Sequence, residues 1–192
     1  MKLVLNTAID PHFCAILKTD NTVLEKVSWE NRRRDGEEIW NFLQKNKVQE
    51  IEFKMIGGVS GPGGFSSLRA SAGILNAIAF SRKMEIKQVR ADLFVAAFLR
   101  SQKQAENFIL NSFGNSVFVL DGEKLKRLET EKAVVNFRNK PVFVDLLPEE
   151  KAKFFTNTID LKFKNTESVL GEILSTQKPQ KIFIPDYEFE PV

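Results

Sequence analysis

The sequence predicts an α/β fold of two lobes with mixed central sheets, and three observations carry that reading. The first thirty residues alternate short apolar runs with turn residues, as an antiparallel meander does. Beyond them, buried-strand runs alternate with segments of helical period, the pattern of strand–helix–strand units with parallel pairing. At 192 residues the chain sits between one large domain and two small ones, long enough to bury most of the surface it exposes when unfolded.

Leu3 to Thr7, Phe13 to Leu17 and Val23 to Trp29 read as the three strands of the meander, with turns at Asp10-Pro11 and Asp20-Asn21. Such short loops imply antiparallel pairing. Gly36 to Asn46 reads as a helix, because Ile39, Trp40 and Leu43 recur at helical spacing and Glu37-Glu38 suit the positive end of a helix dipole. Glu50 to Ile56 alternates polar with apolar residues before becoming continuously apolar, as a strand entering a buried sheet does. A glycine loop, Gly57 to Gly64, follows it. Ser66 to Arg82 is then a helix rich in Leu and Ala, with Ser66 or Ser67 available as N-cap. A strand at Ile86 to Val89 and a helix from Asp92 to Arg100 complete a β-β-β-α-β-α-β-α order, which matches the ribonuclease H-like half of the actin and sugar-kinase superfamily.

These elements define a first lobe over residues 1–100, and a smaller, shortened α/β lobe is expected over 101–192. Within the second lobe, Val117 to Leu120 and Ala133 to Phe137 read as strands joined through Asp121-Gly122. Pro141 to Asp145 is a further buried strand, and Thr166 to Ser175 a short helix. No repeat shows in the plain sequence.

Composition narrows the function classes. Hydrophobic residues make up 43% and charged residues 28%, an ordinary globular mix. The 17 Phe are nearly all of the aromatic volume and belong mostly to the core. No apolar run approaches the ~18 residues of a membrane span, and the start turns polar too soon for a signal peptide, so a cytoplasmic protein without membrane contact is expected. A net charge of +3 permits contact with nucleic acid without demanding it, and the compact run Arg32-Arg33-Arg34 reads as a solvated turn.

Gly57-Gly58-Val59-Ser60-Gly61-Pro62-Gly63-Gly64-Phe65-Ser66-Ser67-Leu68-Arg69 is the most informative stretch. Glycines permit positive φ and close backbone approach, Pro62 pins a turn dihedral, and a helix follows whose free N–H groups can hold an anion. Gly58 and Gly63 have the opening spacing of a phosphate-binding P-loop. That motif nonetheless needs Lys and then Ser or Thr where Gly64-Phe65 stand, so the P-loop reading fails.

The same stretch resembles the Gly-Arg-Gly-Pro-Gly-Ser-Phe-Thr-Gly-Leu-Arg signature of the TsaB (YeaZ-like) family, with Gly58, Gly61, Pro62, Gly63, Phe65, Leu68 and Arg69 at matching places. Leu3-Val4-Leu5-Asn6-Thr7-Ala8 resembles the family's opening strand, and Lys181-Ile182-Phe183-Ile184-Pro185-Asp186-Tyr187 its final apolar strand. Departures are Asn6 where the family usually has Asp, Ser60 in place of the signature Arg, and Arg33-Arg34-Asp35-Gly36 in the region of a His-Ser-Glu stretch.

The residues themselves argue against catalysis. Asn6 is neutral where catalytic relatives place a metal-positioning Asp, and hard divalent cations need anionic oxygens. A single His, His12, excludes a His-based metal site and any Ser-His-Asp triad built on another base. His12 follows Pro11 beside a hairpin turn, where an exposed or half-buried histidine is expected. Cys14 lies two residues on, on the same strand face, but Phe13, Ala15 and Ile16 offer no orienting group for a Cys-His pair. Cys14 reads as a small buried strand residue. Glu149-Glu150 after Pro148 reads as a helix start. No catalytic residue, metal or cofactor is therefore expected.

What the resemblance implies is a non-catalytic subunit that supports a TsaD-like catalytic subunit in threonylcarbamoyl transfer to the adenosine beside the tRNA anticodon. It also implies a TsaE-like ATPase as second partner, self-pairing when TsaD is absent, and tRNA contact mainly through the partners. The resemblance places Ile39, Trp40 and Leu43 on the first helix, and Arg69, Ala72, Gly73, Asn76 and Ala77 on the second, at the partner interface. The other reading that the fold admits is a nucleotide-dependent kinase or an inactive glycopeptidase-like protein.

Overall fold

The computed structural model describes residues 1–30, 34–101, 108–111, 115–121, 124–137, 142–145, 151, 153–155, 158–159 and 165–187. They form two compact units, one of Met1–Phe94 with Asn165–Val192 and the other of Val95–Lys164. The strands are β1 (Lys2–Asn6), β2 (His12–Leu17), β3 (Val23–Trp29), β4 (Met55–Val59), β5 (Ile86–Val89), β6 (Phe108–Asn111), β7 (Ser116–Asp121), β8 (Lys124–Glu129), β9 (Val142–Asp145) and β10 (Thr158–Ile159). The helices are α1 (Asp35–Lys45), α2 (Phe65–Arg82), α3 (Ala91–Ser101), α4 (Thr130–Phe137) and α5 (Thr166–Thr176). Among the described residues, no helix is long and apolar enough to cross a membrane.

In the first unit the sheet order is β3-β2-β1-β4-β5, with β1, β2 and β3 antiparallel and β4 and β5 added in parallel beside β1. This is the expected meander followed by parallel pairing. Alternation along the strands gives the sheet two apolar faces. Leu3, Leu5, Cys14, Ile16 and Ile56 join Ile39, Phe42 and Leu43 of α1 and Ala72, Leu75 and Ala79 of α2 in one core. α5 packs over β1, β2, β4 and β5, with Leu170 and Leu174 fully buried. Two adjacent glycines in β4 serve the two faces: a Cβ on Gly58 would meet Leu75 of α2, and one on Gly57 would meet Leu174 of α5.

The second unit has the same topology. Its order is β10-β9-β6-β7-β8, an antiparallel β6-β7-β8 meander with β9 and β10 added in parallel beside β6. Its core gathers Ile109, Val117, Val119, Ala133 and Phe155. The duplication is one of topology, which explains why no repeat is legible in the sequence.

Several expectations are corrected. The residues from Asn165 onward belong to the first unit, so the expected lobe of 101–192 loses its last part. Its α5 buries Leu170, Gly171 and Leu174 in the first unit, and Ser168 donates to Asn21 O at 2.9 Å. β4 begins at Met55 instead of Glu50. The alternation before it marks a 3-10 turn, Val48–Glu50, and a loop whose Phe53 is buried in the same core. Ala133–Phe137 lies in helix α4, where Ala133 is buried and Val135 is 74% exposed, a pairing that a strand of period two would not give. The β-branched pair Val134-Val135 carried the wrong signal, and the strand that follows the Asp121 turn is β8. Lys181–Tyr187 forms no strand; only Gln180 bridges β5, at Ile86. Arg32, Arg33, Gly122, Pro141, Pro148 and Glu149-Glu150 lie outside the described residues.

Candidate functional site

The glycine stretch leaves β4 and closes on the chain itself. Ser60 N donates to Val89 O at 2.8 Å, Asp186 N to Ser60 O at 2.6 Å, and Ala91 N to Gly61 O at 2.6 Å. Gly61 sits at φ +122°, where L side chains rarely go, and a Cβ there would run into the Asp186 carbonyl oxygen. A Cβ on Gly63 would stand 2.7 Å from Ala8 Cα. The glycines thus let three backbone segments, around Ala8, Val89 and Asp186, meet at the loop. Pro62 follows a cis peptide bond, and Leu68 is fully buried beneath the loop.

α2 starts at Phe65 with Gly64 as its N-cap, and the cap makes no side-chain hydrogen bond. Neither Ser66 nor Ser67 caps it, contrary to expectation, because both already lie in the first helical turn. Ser67 O instead accepts from the Thr7 hydroxyl at 3.0 Å, which ties α2 to the end of β1. Phe65 packs against Tyr187 with ring centroids 4.9 Å apart and the planes tilted by 45°, and the Arg69 guanidinium lies 5.5 Å above Phe65.

Asn6, at the end of β1, is 2% exposed and fully engaged. Its Nδ2 donates to Ile9 O at 2.8 Å and Pro11 O at 3.1 Å, while its Oδ1 accepts from Ala8 N at 3.2 Å and Ile9 N at 3.3 Å. A carboxylate at this place would aim an acceptor at two carbonyls, so the amide is the group that this turn requires.

His12 is not the exposed turn residue expected of it: it is 1% exposed, and its Nδ1 lies 2.6 Å from Asp35 Oδ1. A carboxylate only accepts, so Nδ1 carries the proton. Trp29 Nε1 donates to the same oxygen at 2.7 Å, and Asp10 Oδ1 lies 3.6 Å from His12 Nε2. The orienting group that the strand neighbours lack comes from Asp35, 23 residues away. Burial pushes the Asp35 carboxyl up, but the hydrogen bonds from His12 and Trp29 outweigh it, and the carboxyl titrates below its ordinary 3.8. Asp35 Oδ2 is buried without a well-formed hydrogen bond of its own. Burial raises the Cys14 thiol far above its ordinary range, which keeps it an unreactive neutral group. Among the described residues, no three His, Cys, Asp or Glu side chains gather as a metal site would require.

The expected interface residues separate into two sets. Ile39 and Leu43 on α1 and Ala72 on α2 are 1%, 7% and 6% exposed and belong to the core, so they are corrected to packing residues. Helical spacing identified the apolar face of α1, and that face looks inward. Asn76 is half-buried and holds the chain at Phe183. Trp40 is 57% exposed, and Arg69, Gly73 and Ala77 form an exposed stripe along α2 at a spacing of four. Phe80 continues the stripe at 88% exposure and was missed; its position three residues beyond Ala77 was the available signal.

No protein-family model and no curated protein matches the sequence. Solved structures do match its fold. A Pseudomonas aeruginosa protein described as similar to the peptidase YeaZ aligns over 97% of this chain and 98% of its own, with a TM-score of 0.66 and 15% identity. YeaZ from Pseudomonas aeruginosa aligns over the same shares, with a TM-score of 0.65 and 16% identity. Over nearly its whole length the chain therefore has the fold of YeaZ, two ribonuclease H-like units of the actin-like type.

Proposed function

We propose that this chain is a TsaB-type scaffold: a non-catalytic cytoplasmic subunit that supports a TsaD-like partner in threonylcarbamoyl transfer to tRNA. The carrying observation is the full-length likeness to YeaZ combined with an exposed, small-residue stripe on α2. A Cβ on Gly73 would meet nothing within 4 Å, so the helix offers open ground on which another helix can approach closely. Trp40, Arg69 and Phe80 are residue types that carry binding energy when a partner covers them. The engagement of Asn6 and the burial of His12 and Cys14 also favour scaffolding over chemistry. Chemistry and most tRNA contacts then belong to the partners, with a TsaE-like ATPase as the third component and a homodimer as the state without TsaD.

Co-expression with the TsaD-like subunit of the same organism, followed by size-exclusion chromatography with light scattering, tests the proposal. A stable one-to-one complex is expected. A lone species that ignores TsaD overturns it, and binding of ATP and magnesium by the isolated chain would then favour a kinase.

A further inference from the structure

The cluster around Asp35 is the buried feature that the scaffold reading leaves unused. Asp35 is the first residue of α1, and its carboxylate collects His12 of β2 and Trp29 of β3 on one oxygen. His12 in turn faces Asp10 of the β1–β2 loop. Arg34, the N-cap of α1, makes no side-chain cap hydrogen bond, so among the described residues this inward clasp is the directional anchor at the start of the helix. The remaining seat of α1 is apolar, through Ile39, Phe42 and Leu43. Apolar burial is non-directional, whereas hydrogen bonds of 2.6 and 2.7 Å to one oxygen fix both rotation and position.

Stability alone does not account for such a cluster. Replacing buried ionic groups with well-packed apolar ones is often neutral or favourable, and the best-attested use of buried polar groups is to select one arrangement. Here the arrangement selected is that of the start of α1 on β2 and β3. Trp40 lies five residues beyond Asp35, about 7.5 Å along the helix axis, so a change in how α1 starts moves the exposed indole relative to the stripe on α2.

We propose that His12 is a positioning residue for the partner-facing surface: through Asp35 it fixes the first turn of α1 against β2 and β3, and so sets where the exposed Trp40 stands. The proposal rests on the scaffold reading for its consequence, but its structural core can be tested without a partner.

Two measurements separate the two. In the free protein, amide hydrogen exchange is compared between wild type, His12→Leu and His12→Asn, whose amide can return a donor near the Nδ1 position. At least tenfold faster exchange across Ile39–Leu43 is expected in His12→Leu, with β1 and β4 amides unchanged and substantial recovery in His12→Asn. Exchange in α1 that stays at the wild-type rate overturns the proposal whatever the partner does. Should His12→Leu fail to fold, Asp35→Leu paired with Asp35→Asn asks the same question from the other side of the bond, with the same outcome decisive. In the second measurement, affinity for the TsaD-like subunit is expected to fall at least tenfold in the folded His12→Leu protein and to recover in His12→Asn. Undiminished affinity there removes the positioning role. Failure of wild type to bind TsaD condemns the scaffold reading instead, and leaves the exchange result to decide the role of His12.

Discussion

Asn76 grips Phe183 through both groups of its amide: Nδ2 donates to Phe183 O at 3.1 Å and Oδ1 accepts from Phe183 N at 2.7 Å. The pair fastens the C-terminal segment to α2 across 107 residues of sequence and seats the Phe183 ring, 1% exposed, in the core of the first unit. Asn76→Ala removes both bonds and leaves a partly buried donor and acceptor unmatched, at a cost of about 1–3 kcal/mol. Asn76→Asp keeps the acceptor but turns a second oxygen toward the Phe183 carbonyl. Urea denaturation should therefore show both variants with lower midpoints than wild type. An unchanged midpoint for Asn76→Ala would mean that ring burial alone holds the segment.

Several of the described glycines pack closely, whereas a Cβ on Gly36 or Gly73 would meet nothing within 4 Å. Gly61→Ala and Gly63→Ala place a methyl group against the Asp186 carbonyl and the Ala8 backbone, and neither neighbour is a flexible side-chain end. Each is expected to destabilise by about 3 kcal/mol. Gly73→Ala meets open space in mid-helix and should stabilise by about 0.5–1 kcal/mol. Thermal unfolding of the three variants gives the test, and a destabilised Gly73→Ala would contradict the open surface described for α2.

What could be read from the sequence follows from whether a signal was local. The β1–β2–β3 meander, α2 and β5 are set by turn chemistry and periodicity, and the structure places them within a residue or two of expectation. The residues at Asp35 and Phe183 owe their roles to partners 23 and 107 positions away, which no local pattern encodes. Periodicity also names the apolar face of a helix without saying that it looks inward. Ile39 and Leu43, which the resemblance places at an interface, lie on that inward face, and Trp40 is the exposed member of the three.

Asp35 makes acid stability a readout of the clasp. Its carboxyl is held below 3.8 in the folded chain, so the unfolded chain binds the proton more readily. The contribution to stability is thus complete above the unfolded value and is lost as pH falls through the folded one. Asp35→Asn cannot titrate and should lose less stability than wild type between pH 5 and the acid limit of folding, while being less stable near pH 7. Denaturation midpoints across that range decide it, and parallel curves would show that Asp35 is not linked to folding in this way.

The exposed stripe on α2 separates association from folding. Ala77 and Phe80 stand on the solvent side, Phe80 at 88% exposure, so Ala77→Glu and Phe80→Ser should change stability by no more than about 0.5 kcal/mol. If a partner helix covers the stripe, Ala77→Glu buries an unpaired charge in the interface at a cost of about 3 kcal/mol, or roughly a hundredfold in affinity. Phe80→Ser removes an apolar contact and should weaken pairing less, by about tenfold. Light scattering of the purified variants with the TsaD-like subunit, and alone for self-pairing, measures both effects. Wild-type pairing by Ala77→Glu would place the interface elsewhere on the molecule, because no helix packed against this stripe could accommodate a buried carboxylate so cheaply.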